Sequence, residues 1–343
     1  MIMKYFKWSF IFLIGGMIFA FWRGESVAAG LGFKDLIAAL IISALEVSLS
    51  FDNAVINATK LKKMSPLWRR RFLTWGIAIA VFGMRFVFPI VIVAVFSGIS
   101  CVSVLDLALN KPDEYASHLA EAHVGISSFG GTFLFMLFFE FMFDRKKEVH
   151  WIGFLEKPLM FLGRLKFAPT ILTVAMLGFV QFFLPAHEVK ISIIAGVSGI
   201  LIHLLIHGIS GKLDRMASMQ NAFALKHAGL AAFVYLELID ASFSLDGVLG
   251  AFALTKDVVI IAIGLAVGAF FVRSLTVMLV EHQTLDKLRF LTNGAYWAIG
   301  SLAAVMLVST IQAVPETVTG ITGMALIAAS LISSIRYNGK TAR

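Results

Sequence analysis

Two segments carry the same ionisable and polar residues at the same spacing: Glu46, Ser50 and Asp52 followed by Asn53, and Asp240, Ser244 and Asp246 followed by Gly247. In each, a carboxylate precedes a serine by four residues and an aspartate by six, within a long apolar run. A charged side chain at the bilayer centre costs at least about 2.5–3.5 kcal/mol, so such residues mark a site by default. Two matching sets read as one site built from both halves of the chain. The ligands on offer are carboxylate, amide, hydroxyl and carbonyl oxygens, which suit hard divalent ions such as Mn²⁺, Mg²⁺ or Ca²⁺ rather than copper. Six acids fall within apolar spans (Glu46, Asp52, Glu140, Glu237, Asp240 and Asp246) against two arginines, Arg85 and Arg273. That surplus needs protons, water or a bound metal to persist.

At 100° per residue, Glu46, Ser50, Asn53 and Asn57 share one polar stripe, and Asp52 lies roughly 120° from it. The second copy repeats the offset. Two readings remain open: the helices unwind at Asp52-Asn53 and Asp246-Gly247 and add carbonyl ligands, or they stay intact and the aspartates pair with Arg85 or Arg273. Glu237, one turn before Asp240, is either a fifth acidic ligand or a paired acid. His203 and His207, also one turn apart, have a spacing able to place two imidazoles on a metal, with a structural or proton-relay role as the plainer reading. Glu140 reads as a solvated acid at the rim of its span.

These residues need membrane-crossing elements to hold them. The chain of 343 residues is 59% hydrophobic and 15% charged, with mean hydropathy +0.88, which defines an all-α, polytopic transmembrane bundle. Ten apolar windows, near 6–22, 35–60, 70–98, 126–143, 168–186, 190–209, 226–252, 257–281, 288–309 and 316–335, predict about 9–10 spans. With the N-terminus inside, 22 of the 29 basic residues fall on inner segments and five on outer ones, as cytoplasmic loops require. Both termini are then cytoplasmic. The +8 charge thus reflects topology and implies no nucleic acid. A single cysteine, Cys101, excludes an internal disulfide and thiolate zinc sites. Residues 1–30 read as an N-terminal helix or signal-anchor, with the layout of a cleavable leader as the alternative. The outer segment 99–127 reads as a surface amphipathic helix or an acidic vestibule. No phosphate loop, nucleophile elbow or soluble nucleotide-binding segment appears, so an ATP-driven pump is disfavoured and no organic cofactor is expected.

The first motif runs outside to inside and the second inside to outside, giving an inverted-topology repeat within a single membrane domain, 1–343. Its halves are 35–143 and 222–310. Arg85 and Arg273 follow in the next helix of each half.

The segment E-V-S-L-S-F-D-N-A-V-I-N at 46–57, the second copy S-L-D-G-V at 244–248 and the arginine-bearing helix after each resemble the TerC family of integral membrane proteins, in its longer domain-of-unknown-function branch. The likeness covers roughly residues 35–310. It implies a multi-pass protein of the bacterial inner membrane, associated with manganese export and tellurium-ion resistance, in which Glu46, Asp52, Asn53, Asp240 and Asp246 handle metal. Glycine at 247, where the first copy has asparagine, departs from equal ligation by the two halves. The expected function is secondary export of a divalent metal, Mn²⁺ first, as substrate, with H⁺ as the coupling ion. A non-transporting membrane partner in stress resistance is the alternative, and an intramembrane enzyme using paired aspartates is the least favoured.

Overall fold

Backbone polar groups in hydrocarbon must be satisfied within their own segment, so long apolar runs become helices. The computed structural model describes residues 2–62, 64–165, 167–218, 222–281 and 288–341, and these are helical with short connections. In chain order they form α1 (Ile2–Val27), α2 (Leu31–Leu49), α3 (Phe51–Leu61), α4 (Pro66–Ala78), a π-helix (Ile79–Val87), α5 (Phe88–Ser97), α6 (Cys101–Asn110) and α7 (Pro112–Met142). There follow α8 (Gly153–Leu162), α9 (Ala168–Gln181), α10 (Ala186–Ser218), α11 (Ala222–Leu254), α12 (Val258–Glu281), α13 (Leu291–Ser309) and α14 (Glu316–Thr341).

Among the described residues, six helices (α1, α7, α10, α12, α13 and α14) are long and apolar enough to cross a bilayer, or up to eight spans if two bent pairs each count as one. The bent pairs are α2–α3, at 48°, and the run from α4 through the π-helix into α5, at 45°. Each of the ten expected windows falls on one of the described helices or bent pairs, and the differences are of extent. Window 168–186 yields α9, whose 14 residues reach about 21 Å at 1.5 Å each, short of a core about 30 Å thick. Window 226–252 falls in α11, part of whose side chains lie outside those described. Window 126–143 is only the C-terminal part of α7, which runs for 31 residues from Pro112. The outer segment 99–127 accordingly divides into α6, capped by Ser100 on the Ser103 N–H, and the first turns of α7.

Burial orders the helices. In α7, 83% of the most apolar window is buried, against 11% in α1, so α7 is central and α1 peripheral. Small and hydroxyl residues let α7 and α10 approach closely: Ser128 and Ser192 share a hydrogen bond of 2.9 Å, and Thr132 donates to the Gly196 carbonyl at 2.9 Å. On the other flank α12 packs against α2, and α1 joins α12 through Ser9 and Ser274 at 2.8 Å and through Lys4 and Glu281 at 3.1 Å.

The α2–α3 bend has a local cause. Ser50 leaves helical geometry (φ −101°, ψ 12°), and its hydroxyl donates to Glu46 Oε1 at 2.9 Å. The second bend falls between Gly76 and Ile79, where the π-helix begins; further on, Pro89 lacks an N–H, and its ring excludes the normal bond to the carbonyl four residues back, that of Arg85. The π-helix immediately precedes it, so the irregular turn falls on the arginine that the site uses.

Candidate functional site

The two motifs meet as antiparallel helices. Asn53 Nδ2 donates to Asp240 Oδ1, and a Cβ placed on Gly247 would lie 2.8 Å from Glu46 Oε2. Residue numbers rise along one helix as they fall along the other. Because Glu46 matches Asp240 and Asn53 matches Gly247 in the repeat, these are one contact seen twice across an approximate two-fold axis. The helices of the two halves thus cross at their acidic motifs.

The symmetry breaks in a compensated way. Where the second half has the shorter Asp240, the first supplies the Asn53 side chain to reach it. Where the first half has the longer Glu46, the second supplies only Gly247, which leaves room for the extra methylene. Gly268 on α12 does the same on another side, since a Cβ there would stand 2.5 Å from Glu46 Cβ and Cγ.

Arg85 binds the acids from both halves. Its Nη2 contacts Glu46 Oε1, its Nη1 lies 3.9 Å from Asp240 Oδ2, and Nη1 also donates to the Ala80 carbonyl. All three side chains are buried, and pairing with a shared guanidinium offsets part of the cost of holding two carboxylates out of water. Arg273, the matching arginine, donates instead to the Leu73 carbonyl on α4.

Beside this cluster a partly open cavity is lined by Asn57, Gly76, Arg85, Glu237, Asp240 and Arg273, among others. Among the described residues, buried oxygens in and beside this cavity have no hydrogen-bond partner: both of Glu237, Asp240 Oδ2, and the amide oxygens of Asn53 and Asn57. Orphaned buried acceptors are rare and call for an occupant. Glu237 therefore lies with Asp240 as an unpaired acid, rather than as a paired one.

Asp52 is separate. It is buried at the start of α3, where a carboxylate complements the helix N-terminus, and Oδ1 accepts its neighbour's Asn53 N–H at 2.9 Å. It lines a different cavity with Ser48, Ala298, Thr319 and Gly320, against α13 and α14. The side chains of Ser244 and Asp246 lie outside those described. Backbone opening occurs at Ser50, two residues before the expected Asp52-Asn53, whereas α11 continues unbroken through Asp246-Gly247.

Two clusters were not anticipated. Glu140 is no solvated rim acid: its Oε2 lies 3.1 Å from both His203 Nε2 and His207 Nδ1. Glu156 on α8 is fully buried and gathers Lys147 at 2.8 Å, Asn293 and Trp297 at 3.0 Å each, and the backbone N–H groups of Trp151 and Ile152. Burial pushes this carboxyl up, but Lys147 and Trp297 outweigh it and hold it below the usual carboxylate range. Nothing around Glu156 in the sequence separates it from an ordinary loop acid.

No curated protein and no solved structure is detectably similar to the chain. A family model does match, over residues 51–341, so that Asp52 to Asp246 lie within the match while Glu46 and Ser50 fall just before it. The chain accordingly belongs to the family described as protein of unknown function DUF475.

Proposed function

We propose that this chain is a secondary transporter that exports a divalent metal, with Mn²⁺ the first candidate, across the bacterial inner membrane. The observation that carries the reading is that, among the described residues, the oxygens of Glu237 and Asn57 line the cavity at the crossing of two antiparallel motifs without hydrogen-bond partners, beside Asp240 Oδ2, which only Arg85 approaches, at 3.9 Å. All are hard oxygen donors of the kind that bind Mn²⁺ or Mg²⁺. The crossing of matched helices is where transporters with inverted repeats hold their substrate. The TerC likeness supports the same reading and supplies the direction of transport. Arg85 and Arg273 border the cavity as resident cations, so a metal entering it competes with them for Asp240 and Glu237. The same carboxylates exchange a proton for metal, which makes H⁺ the coupling ion. Asp52, against α13 and α14, belongs to the pathway rather than to the metal cage.

One observation favours the alternative of a non-transporting membrane partner: Arg85 already compensates Glu46 and Asp240. Purified protein in liposomes separates the two. Mn²⁺ flux is expected for wild type and a loss of at least tenfold for Glu237→Gln and Asp240→Asn. Equal flux in wild type and empty liposomes overturns the transport reading. Cellular manganese under manganese stress, compared across wild type, Asp52→Asn and Asp246→Asn at equal expression, tests the outlying aspartates.

A further inference from the structure

We propose that Glu140, His203 and His207 form a second metal site, for a zinc-class transition ion, chemically distinct from the oxygen cavity at the helix crossing. The three residues come from two elements. Glu140 sits near the end of α7, and His203 and His207 are one turn apart on α10, so both imidazoles face the same neighbour. Their rings are nearly parallel, 10° apart in tilt, with centroids 6.0 Å apart.

One carboxylate oxygen lies 3.1 Å from a nitrogen of each ring, and the three ligand atoms fall within 4.8 Å of one another. Adjacent ligands on a tetrahedral zinc with bonds of about 2.0–2.1 Å are separated by about 3.3 Å. The two nitrogen–oxygen separations already match that edge. Only the two imidazoles must draw together, and His207 is free to turn because 55% of its side chain is exposed.

Burial supplies the second reason. His203 is fully buried, packed edge-on against Phe133 with ring centroids 5.1 Å apart, and neither ring nitrogen has a well-directed hydrogen bond. The hydroxyl of Tyr235, whose ring lies 6.0 Å from that of His203, is also buried and unpartnered. A bound ion takes up Nε2 of the imidazole, and a water on its fourth position is a partner for the phenol. Two imidazoles and a carboxylate form a donor set that favours zinc-class ions over Mg²⁺ or Ca²⁺. Lys60, whose Nζ stands 5.0 Å from the Tyr235 ring, is the resident cation that a metal must displace electrostatically.

The probe is Co²⁺ added to the full-length protein in nanodiscs, without a polyhistidine tag, followed by back-titration with Zn²⁺. Wild type is expected to show visible absorption of nitrogen-ligated, four- or five-coordinate cobalt at one equivalent, bleached by Zn²⁺. His207→Ala, at an exposed position that does not carry the fold, should weaken binding at least tenfold, and Glu140→Gln similarly. Asp240→Asn should leave the bands unchanged whatever it does to Mn²⁺ flux, so this site and the transport reading stand or fall separately. Absence of the bands in wild type, or equal affinity in His207→Ala, overturns the proposal.

Discussion

Gly247→Ala tests the crossing directly. The added Cβ would meet Glu46 Oε2 at 2.8 Å, against 3.4 Å or more for ordinary contact. The carboxylate cannot simply swing away, because its other oxygen holds Arg85 Nη2 and the Ser50 hydroxyl. Overpacking of this kind costs about 1–3 kcal/mol. Glu46→Asp shortens the side chain by one methylene and draws the carboxylate back from Gly247, at its own cost of about 1–3 kcal/mol in weakened pairing to Arg85. Combined, the two changes reproduce the shorter acid of the second half opposite a larger neighbour, and should interact favourably by about 1–2 kcal/mol. Equilibrium unfolding in mixed micelles across the four proteins of the cycle measures that coupling. If the two costs add to within about 0.5 kcal/mol, Glu46 and Gly247 do not meet, and the two-fold relation between the motifs fails with them.

Other consequences follow from the same geometry. Arg85→Gln strands two buried carboxylates and should destabilise the protein by about 3–5 kcal/mol, measured by unfolding, and Arg85→Lys should rescue little because an ammonium cannot reach both acids at once. Glu156 is held below its ordinary value of 4.5 when folded, so its contribution is present above that pH and is lost as pH falls through the lower folded value. A pH series of melting temperatures should show this acid loss in wild type and not in Glu156→Gln, which should be less stable throughout neutral pH. Asn53→Ala removes the donor to Asp240 and is expected to weaken Mn²⁺ binding and to cost about 1–3 kcal/mol of stability. Unchanged values for both would show that this contact carries neither role.

The fold class was readable because apolar length and basic-loop asymmetry are properties of single segments. Helix limits were less so. Residues 99–127 look polar enough for an independent surface element, yet Tyr115, Leu119 and Ala122 are buried against neighbours within the N-terminal turns of α7. Nor does a hydropathy window distinguish α9, whose 14 apolar residues fall short of a full crossing, from a true span. At the site, Glu46, Ser50, Asn53 and Asn57 share one periodic stripe and gather at the crossing although the helix bends at Ser50, while Asp52, roughly 120° from the stripe, lines the cavity against α13 and α14. What periodicity could not supply was partnership between distant segments. Glu140 meets its two histidines only because α7 and α10 pack side by side, and Glu156 acquires partners from the loop before its helix and from α13.

The departures from the repeat are as informative as the matches. Shifting by the 194 residues between Glu46 and Asp240 pairs Glu237 with Ser43 and Asn57 with Ala251. Ser43 and Ala251 are buried, and the Ser43 hydroxyl is consumed by the carbonyls of Ala39 and Gly264. Their counterparts Glu237 and Asn57 instead line the cavity with unpartnered oxygens. Both unmatched oxygen donors therefore lie on one side of the crossing, and its mirror position is closed with small or satisfied groups. A pair of perfectly repeated halves would present equal sites to both sides of the membrane. Here the acids shared by the repeat, Glu46 and Asp240, are gripped by Arg85, and the unshared Glu237 is left open. If that asymmetry sets which side loads first, Ser43→Glu with Glu237→Ser should move Mn²⁺ protection of engineered cysteines from the Asn57 end of the crossing to the Ala251 end. Protection that stays at the Asn57 end would show that the side of loading is set elsewhere in the bundle.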